Sequence, residues 1–323
     1  MASKPDEVRD GVELTNLDQP LFDGAEATKR DLVDYLDAVA DRLLPVLEDR
    51  PLSVIRVHRG QEAFMQKNVP SYTPGFVRTV DLWAETSKRA VSYALANDRR
   101  TLLWFANQRA VEYHPALVRV DRLDRMTHLV LDLDPPEGDD SFAAAVAAAR
   151  LVRRALADVD LEGAVKTSGS KGVHVFVPIE RRATMEDAAA ATRAIAVRAA
   201  ALDPDLATTE FVKDDRGGRV FVDATRVGGA TVVAAYSPRV RPGVPVSFPL
   251  AWDELDAASP RDLTIRTALD RLGESDPWAE RMPAPQRLPA SLVEEGAAIP
   301  GGRVAAMHEG KRRAAAARRA ASP

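Results

Sequence analysis

The sequence predicts a mixed α+β protein whose sheet is mainly antiparallel and flanked by helices. Two observations lead there. Short apolar runs of strand character fall at 52–58, 77–82, 128–134, 164–167, 173–178 and 219–223, and several close on Gly, Pro or Asp. Helical patterns lie between some of them, without the regular strand–helix–strand rhythm of a doubly wound sheet.

The elements are read in chain order. Residues 14–24 are turn-rich. Thr28-Lys29-Arg30-Asp31 opens a helix, with Thr28 as N-cap and Asp31 three residues on. Leu32, Tyr35, Leu36, Val39 and Leu43 recur at helical spacing, so one face is buried. Residues 86–97 read as a helix from their Ala, Leu and Tyr content. Residues 102–105 read as a short strand or a short helix, and 110–113 as a strand. Residues 128–134 form a strand stopped by Pro135-Pro136. An Ala-rich helix covers 141–157. Strands at 164–167 and 173–178 flank the turn Ser168-Gly169-Ser170-Lys171-Gly172. A helix with acids in its first turn covers 184–201. Strands follow at 208–212, 219–223 and 231–235, then helical turns at 252–255 and 262–272. From Glu274 the chain turns proline-rich, and it ends in a basic stretch, Lys311 to Arg319, that is either a short helix or a solvated arm.

Composition narrows the function classes. The chain has 323 residues, 46% of them hydrophobic, which suffices for a sizeable core. It has no cysteine, which removes disulfides, thiolate metal sites and a cysteine nucleophile. No apolar run reaches the roughly 18 residues of a membrane span, and the polar start lacks a signal-peptide core. The expectation is a cytoplasmic protein with no membrane partner. The net charge of −4 does not announce a nucleic-acid binder. A basic groove is local, however, and net charge reports the far field.

Three pieces carry chemistry. Asp132 and Asp134 stand two apart on a strand, so both carboxylates face one way, roughly 7 Å apart at the backbone. Carboxylates this close repel unless a cation lies between them, and a pair of Mg²⁺ or Mn²⁺ ions suits oxygen donors. A bare Asp-x-Asp is also compatible with two solvated acids at a strand end. Ser168-Gly169-Ser170-Lys171-Gly172-x-His174 joins two strands and can offer backbone N–H groups and a lysine to phosphate oxygens. It is not a Walker A loop, because the spacing differs and a strand follows. Asp223 ends the run Val220-Phe221-Val222 and repeats the geometry of Asp132. It would be a third metal ligand if the two strands are neighbours. By residue type alone, Phe64 and Met65 read as core. Arg216 beside Asp214 and Asp215 reads equally as a solvated charge pair.

In this order the motifs resemble the archaeo-eukaryotic primase superfamily, and within it bacterial primase-polymerases of the ligase D polymerase-domain type. The match rests on Asp132-Leu133-Asp134-Pro135, Thr167 to His174 and Phe221-Val222-Asp223. It is extended by Leu14-Thr15-Asn16, Phe64-Met65-Gln66-Lys67, Val111-Glu112-Tyr113-His114, Ala235-Tyr236-Ser237-x-Arg239 and Pro249-x-x-Trp252, and covers about 12–272. The resemblance implies an RRM-like catalytic sheet with an adjoining N-terminal module. It also implies nucleotide addition, ribonucleotides preferred, to primer ends at gaps or breaks during DNA repair. Asp132, Asp134 and Asp223 would bind two Mn²⁺ or Mg²⁺ ions. His114, Ser168, Lys171, His174 and Arg239 would hold the incoming NTP or dNTP. Phe64, with Met65 beside it, would lie near the template. Asn16 and Lys29 would lie near a downstream 5′-phosphate, and Arg56 and Arg216 along the DNA strands.

Two positions depart from the pattern: Gln19 stands where a second phosphate-binding lysine is usual, and Met65 where a second aromatic is. The implied organisation is an N-terminal module over 1–115 with DNA and 5′-phosphate contacts, a catalytic core over 116–273 and a Pro-rich, basic extension over 274–323. The expected partners are gapped or broken duplex DNA and a separate ATP-dependent DNA ligase, at the nucleoid. De novo primer synthesis, or a non-catalytic module that grips DNA ends and recruits a ligase, are the alternative readings.

Overall fold

The computed structural model describes residues 5–58, 60–84, 88–138, 140–228 and 231–300. The elements begin with β1 (Glu7–Arg9), β2 (Val12–Leu14), α1 (Lys29–Ala38), α2 (Ala40–Leu47), β3 (Leu52–Arg56), β4 (Phe64–Gln66), β5 (Arg78–Ala84), β6 (Arg89–Leu95), α3 (Arg99–Asn107) and β7 (Ala110–Pro115). There follow β8 (His128–Asp134), α4 (Ser141–Ala157), β9 (Ala164–Thr167), β10 (Val173–Pro178), α5 (Met185–Leu202), β11 (Ala207–Thr208), β12 (Val220–Asp223) and β13 (Pro249–Leu250). The last are α6 (Ala268–Leu272), α7 (Pro277–Arg281) and α8 (Ala290–Ala297). The protein is α+β and its strand pairs are mostly antiparallel, as the sequence predicts. The chain divides into two units: Met1–Thr127 with Ala164–Lys171 and Thr231–Met282, and His128–Gly163 with Gly172–Ala230 and Pro283–Pro323.

In the first unit β3 is the organising strand, antiparallel to β4, β6 and β7. Helix α1 starts where the capping box places it: the Thr28 hydroxyl accepts from Asp31 N, and the Asp31 carboxylate accepts from Thr28 N. Its predicted face is buried, with Leu32, Tyr35 and Leu36 at 1% exposure or less. Buried Tyr35 donates its hydroxyl to Tyr236 O at 2.8 Å, tying α1 to the segment that carries Arg239.

The second unit is built on β8. Strand β10 pairs with it on one side and β12 on the other, both antiparallel, with β11 parallel beyond β12. Helices α4 and α5 pack against β8 and against each other. Thr184 caps α5 with a second complete capping box to Asp187. Helix α8, from the proline-rich stretch, docks on α5. Its Gly296 sits directly on the Ala190 carbonyl, and the Gly296 carbonyl accepts from Arg193. Arg198 pairs with Glu295 beside it.

Several expectations need correction. The helix expected over 86–97 is strand β6 where it is described. Residues 89–95 pair in full register with β5, from Arg89↔Ala84 to Leu95↔Arg78. Helix propensities differ by only a few tenths of a kcal/mol per residue, which a complete ladder with buried Val91 and Leu95 outweighs. The strand expected over 231–235 does not form. Ala234 N donates to Tyr113 O, and the chain then bends at Tyr236, whose φ is 67°. Of 208–212 only Thr208 is strand, as the second residue of β11, and Phe211 lies exposed. The turns expected at 252–255 and 262–272 shrink to a 3-10 turn over Leu255–Ala257 and the short α6. Residues 102–105 belong to helix α3. The basic tail, Lys311 to Arg319, lies outside the described residues.

The α5–α8 contact gives a test. In an exposed helix Gly→Ala gains about 1 kcal/mol. Here the added methyl would collide with the Ala190 backbone carbonyl, which cannot swing away. Gly296→Ala is therefore expected to destabilise by about 2–3 kcal/mol. Thermal unfolding checks this, and an unchanged or raised Tm would contradict the packing.

Candidate active site

Strand β8 alternates strictly. Leu129, Leu131 and Leu133 point one way, while Val130, Asp132 and Asp134 point the other. Register then assembles the site. Asp223 on β12 lies directly opposite Asp132, and His174 on β10 lies opposite Asp132 on the other side. Directly opposed residues share a face, so Asp223, Asp132 and His174 form one row across three strands, with Asp134 a step along β8. Asp132 and Asp223 are buried and Asp134 half-buried. The three carboxylates offer oxygen atoms all within 4.8 Å of one another.

Three acids this close need compensation. Arg226, three residues past Asp223, supplies one charge. Its Nε donates to Asp132 Oδ2 at 2.9 Å and also lies 3.2 Å from Asp223 Oδ2. His174 Nε2 lies 3.1 Å from Asp132 Oδ1, and Thr225 N donates to Asp223 Oδ1 at 2.7 Å. One guanidinium does not neutralise three carboxylates. Burial, the charge of Asp132 and the charge of Asp223 push the Asp134 carboxyl up to about 6, against the opposing pull of Arg226. A cluster of hard oxygen donors this close together fits divalent cations such as Mg²⁺ or Mn²⁺.

A second group of predicted residues meets in the first unit. Ser168 follows β9 and is buried. Gly169 has a φ of +70°, and a Cβ there would come within 2.9 Å of the Ser247 backbone nitrogen and into the Arg239 side chain. Glycine is thus required where this loop, Arg239 and the 246–247 backbone close on one another. Arg239 Nη1 donates to the Ser168 carbonyl. Its Nε makes an ion pair with Glu112 at 3.1 Å, and Glu112 is also hydrogen-bonded to His114. His114, Ser168 and Arg239 therefore belong to one linked cluster. Lys171 is half-buried at the end of this loop, which runs on into β10 and His174.

The residues predicted to face DNA separate into smaller sets. Lys29, the first residue of α1, is 3% exposed, and its ammonium donates to Thr15 O at 2.5 Å and Asn107 Oδ1 at 2.6 Å. Exposed Asn16, next to Thr15, has a φ of 55°. Burial, reinforced by Arg109, lowers Lys29 to about 8. Gln19 bonds to Asn16 and receives Arg109. Phe64 and Met65 are not core residues: they lie exposed on β4, with His58 stacked on Phe64. Arg56 is buried and donates to Gln108 O, Gln66 Oε1 and Tyr72. It lies directly opposite Phe64 in the strand pair, with its guanidinium 5.8 Å over the Phe64 ring, so it braces the face of β4 that carries Phe64 and Gln66. Arg216 stacks 4.0 Å over the Phe221 ring and donates to the carbonyls of Glu210 and Phe211.

Sequence reasoning missed Arg226, Glu112 as a hub, and Asn107. The signal for Arg226 is an arginine one turn past a strand-end Asp. The signal for Glu112 is an acid two residues before a histidine on a strand. Asn107 carries no local signal.

Arg226 generates a prediction. Arg226→Gln is expected to destabilise the protein in EDTA by about 1–2 kcal/mol, because partly buried carboxylates lose their counter-charge. Mn²⁺ is expected to restore most of that loss. A melting temperature in EDTA equal to that of the parent would contradict the counter-charge role.

Comparison with known proteins places the chain in a family. Residues 28–278 match the family described as LigD, primase-polymerase domain. The chain is 33% identical over 297 residues to the bifunctional non-homologous end joining protein LigD of Bacillus subtilis, covering 90% of this chain and 47% of that protein. It is 33% identical to the multifunctional LigD of Mycolicibacterium smegmatis, over 81% of this chain and 35% of that one. The chain thus spans about half or less of the length of these relatives. Among solved structures, the polymerase domain of Mycobacterium tuberculosis ligase D in complex with DNA superposes with a TM-score of 0.76 at 32% identity, covering 84% of this chain and 97% of that one. The acid row, its flanking histidine and the glycine-bound loop lie on the fold of a nucleotidyltransferase, and the chain belongs to the LigD primase-polymerase domain family.

Proposed function

We propose that this protein is a template-dependent polymerase that adds nucleotides, ribonucleotides preferred, to primer ends at short gaps or breaks in DNA. The observation that carries the proposal is the acid row: three carboxylates from two neighbouring strands, largely buried, within 4.8 Å of one another. Such a row is costly to keep without cations, and nucleotidyl transfer is chemistry that uses them.

Asp132, Asp134 and Asp223 would hold two divalent ions, Mn²⁺ or Mg²⁺. Bound there, the ions supply activation of the primer 3′-hydroxyl and neutralisation of the departing pyrophosphate. The protein's own groups do the positioning. His174 orients Asp132 through its ring nitrogen. Lys171 and Arg239 bring positive charge to the triphosphate, and Ser168 and His114 complete the nucleotide contacts. Exposed Phe64 offers an apolar face on which a base can stack, and exposed Met65 would meet DNA from the other face of β4. Lys29 and Asn16 would meet a 5′-phosphate across the gap, with Gln19, which receives Arg109, in place of the second lysine. The relatives named for non-homologous end joining support a role in break repair, and the partner proposed for this chain is a separate ATP-dependent DNA ligase.

Extension of a gapped duplex, comparing NTP with dNTP in Mn²⁺ and in Mg²⁺, tests this directly. The double variant Asp132→Ala, Asp134→Ala is expected to lose extension by roughly a thousandfold or more, since metal-assisted charge stabilisation is worth several kcal/mol. Gapped-DNA affinity is expected to stay near the parent value. Near-parental extension by the double variant would refute the assignment.

The depressed Lys29 sets a pH dependence. Its ammonium is charged below about 8 and neutral above it. Because the folded value lies below the unfolded one, folding itself is favoured as pH rises from 8 toward 10.5. Phosphate capture runs the opposite way, because binding needs the proton. Preference for 5′-phosphorylated over 5′-hydroxyl gaps is expected to fall above pH 8, by up to about tenfold per pH unit. Lys29→Ala is expected to flatten that profile, and an unchanged profile in the variant would remove Lys29 from the site.

A further inference from the structure

Strand β7 carries two ionisable groups, Glu112 and His114, which alternation places on one face. Glu112 is 3% exposed and His114 8%. A carboxylate that deep is costly unless its oxygens are met by donors, and these are. Oε2 receives His114 Nε2 at 2.9 Å and lies 3.1 Å from Arg239 Nε. Oε1 receives the backbone N–H of Val240 at 2.8 Å. Arg239 in turn donates to the Ser168 carbonyl. One acid thus touches two residues assigned to the nucleotide, and through Arg239 reaches a third.

The contact fixes a tautomer. An ionised carboxylate only accepts, so the proton of the His114 ring must sit on Nε2 and leave Nδ1 as the acceptor. Burial raises the Glu112 carboxyl, but the His114 hydrogen bond and the Arg239 charge outweigh it and hold the group at about 2. Burial pushes His114 down, helped by the facing charges of Arg239 and Lys166 and opposed by Glu112. The pair is therefore an anionic glutamate with a neutral, oriented imidazole.

We propose that Glu112 is the positioning residue of the nucleotide site. It locks His114 as the Nε2–H tautomer and holds the Arg239 guanidinium beside Ser168 before the nucleotide arrives. This rests on the nucleotide-binding reading of His114 and Arg239. Two side chains ordered in advance need not be ordered on binding, which is worth roughly tenfold in affinity.

Glu112→Gln tests it sharply. The Gln carbonyl is retained by the Val240 N–H, so the amide NH₂ turns toward His114 and can only donate. The ring must then move its proton to Nδ1. The chain has five histidines, so the His114 ring is assigned by its loss in His114→Ala. Nitrogen-15 spectra of nucleotide-free protein are expected to show the Nε2–H form in the parent and in Glu112→Asp, and the Nδ1–H form in Glu112→Gln. ATP affinity is expected to fall about tenfold in Glu112→Gln, less in Glu112→Asp, with Mn²⁺ affinity unchanged. Glu112→Gln added to His114→Ala is expected to cost much less than it does alone. An unshifted ring in Glu112→Gln, or full additivity with His114→Ala, would overturn the proposal. Parental ATP affinity in both His114→Ala and Arg239→Ala would be a different result, removing the nucleotide reading and the proposal with it.

Discussion

Mutual repulsion among Asp132, Asp134 and Asp223 is the constraint on which the rest of this structure turns. At an effective dielectric constant near 20, two unit charges about 4 Å apart interact by about 4 kcal/mol, a large part of a domain's net stability. The fold meets that cost with rigid placement. The acids come from paired strands rather than loops, so they cannot relax apart, and Arg226, His174 and the Thr225 N–H hold their oxygens in place. Burial, and after it the charges of Asp132 and Asp223, raise the Asp134 carboxyl. A site that keeps negative charge under strain is pre-organised for cations.

The proposed nucleotide side follows the same logic with the signs exchanged. Arg239 and Lys166 place positive charge in the interior, and Glu112 is the buried anion that answers Arg239. Lys166 is fully buried and donates to Ser247, which donates onward to Thr167 O. Tyr236 shows how firmly this side is held. It is completely buried in a left-handed backbone conformation, its hydroxyl bonds to Asp276, and it receives the Trp278 N–H. Ser237, next to it, receives the Tyr113 N–H, so the segment carrying Arg239 is pinned to the strand carrying His114. The motif Ala235-Tyr236-Ser237-x-Arg239 therefore contains Arg239, the proposed nucleotide contact, and the structure that aims it.

Local patterns were legible where local physics decides. The capping boxes at Thr28 and Thr184 are closed by residues three apart, and both helices begin there. The strand His128–Asp134 and the strands flanking the Ser168–Gly172 turn match their apolar runs residue for residue. The reading failed where partners are distant. Residues 89–95 look helical by composition and become a strand because β5 offers a complete ladder. Residues 231–235 look like a strand but find no such partner. Phe64 and Met65 look like core by type, yet β4 holds them exposed, with buried Arg56 beside Phe64 on the same face.

The sequence by itself determined the chemistry available: two acids at period two on a strand, a third acid closing a later strand, and a glycine loop carrying serine and lysine. Period and punctuation encode which face and which end of a strand a residue occupies, because these depend only on neighbours in the chain. Only the tertiary structure decided that Asp223 pairs opposite Asp132, that Arg226 stands between them, and that Glu112 binds both His114 and Arg239. Those are matters of strand register and of contacts between residues as far apart in the chain as Glu112 and Arg239. No periodicity within a strand records which other strand will lie beside it.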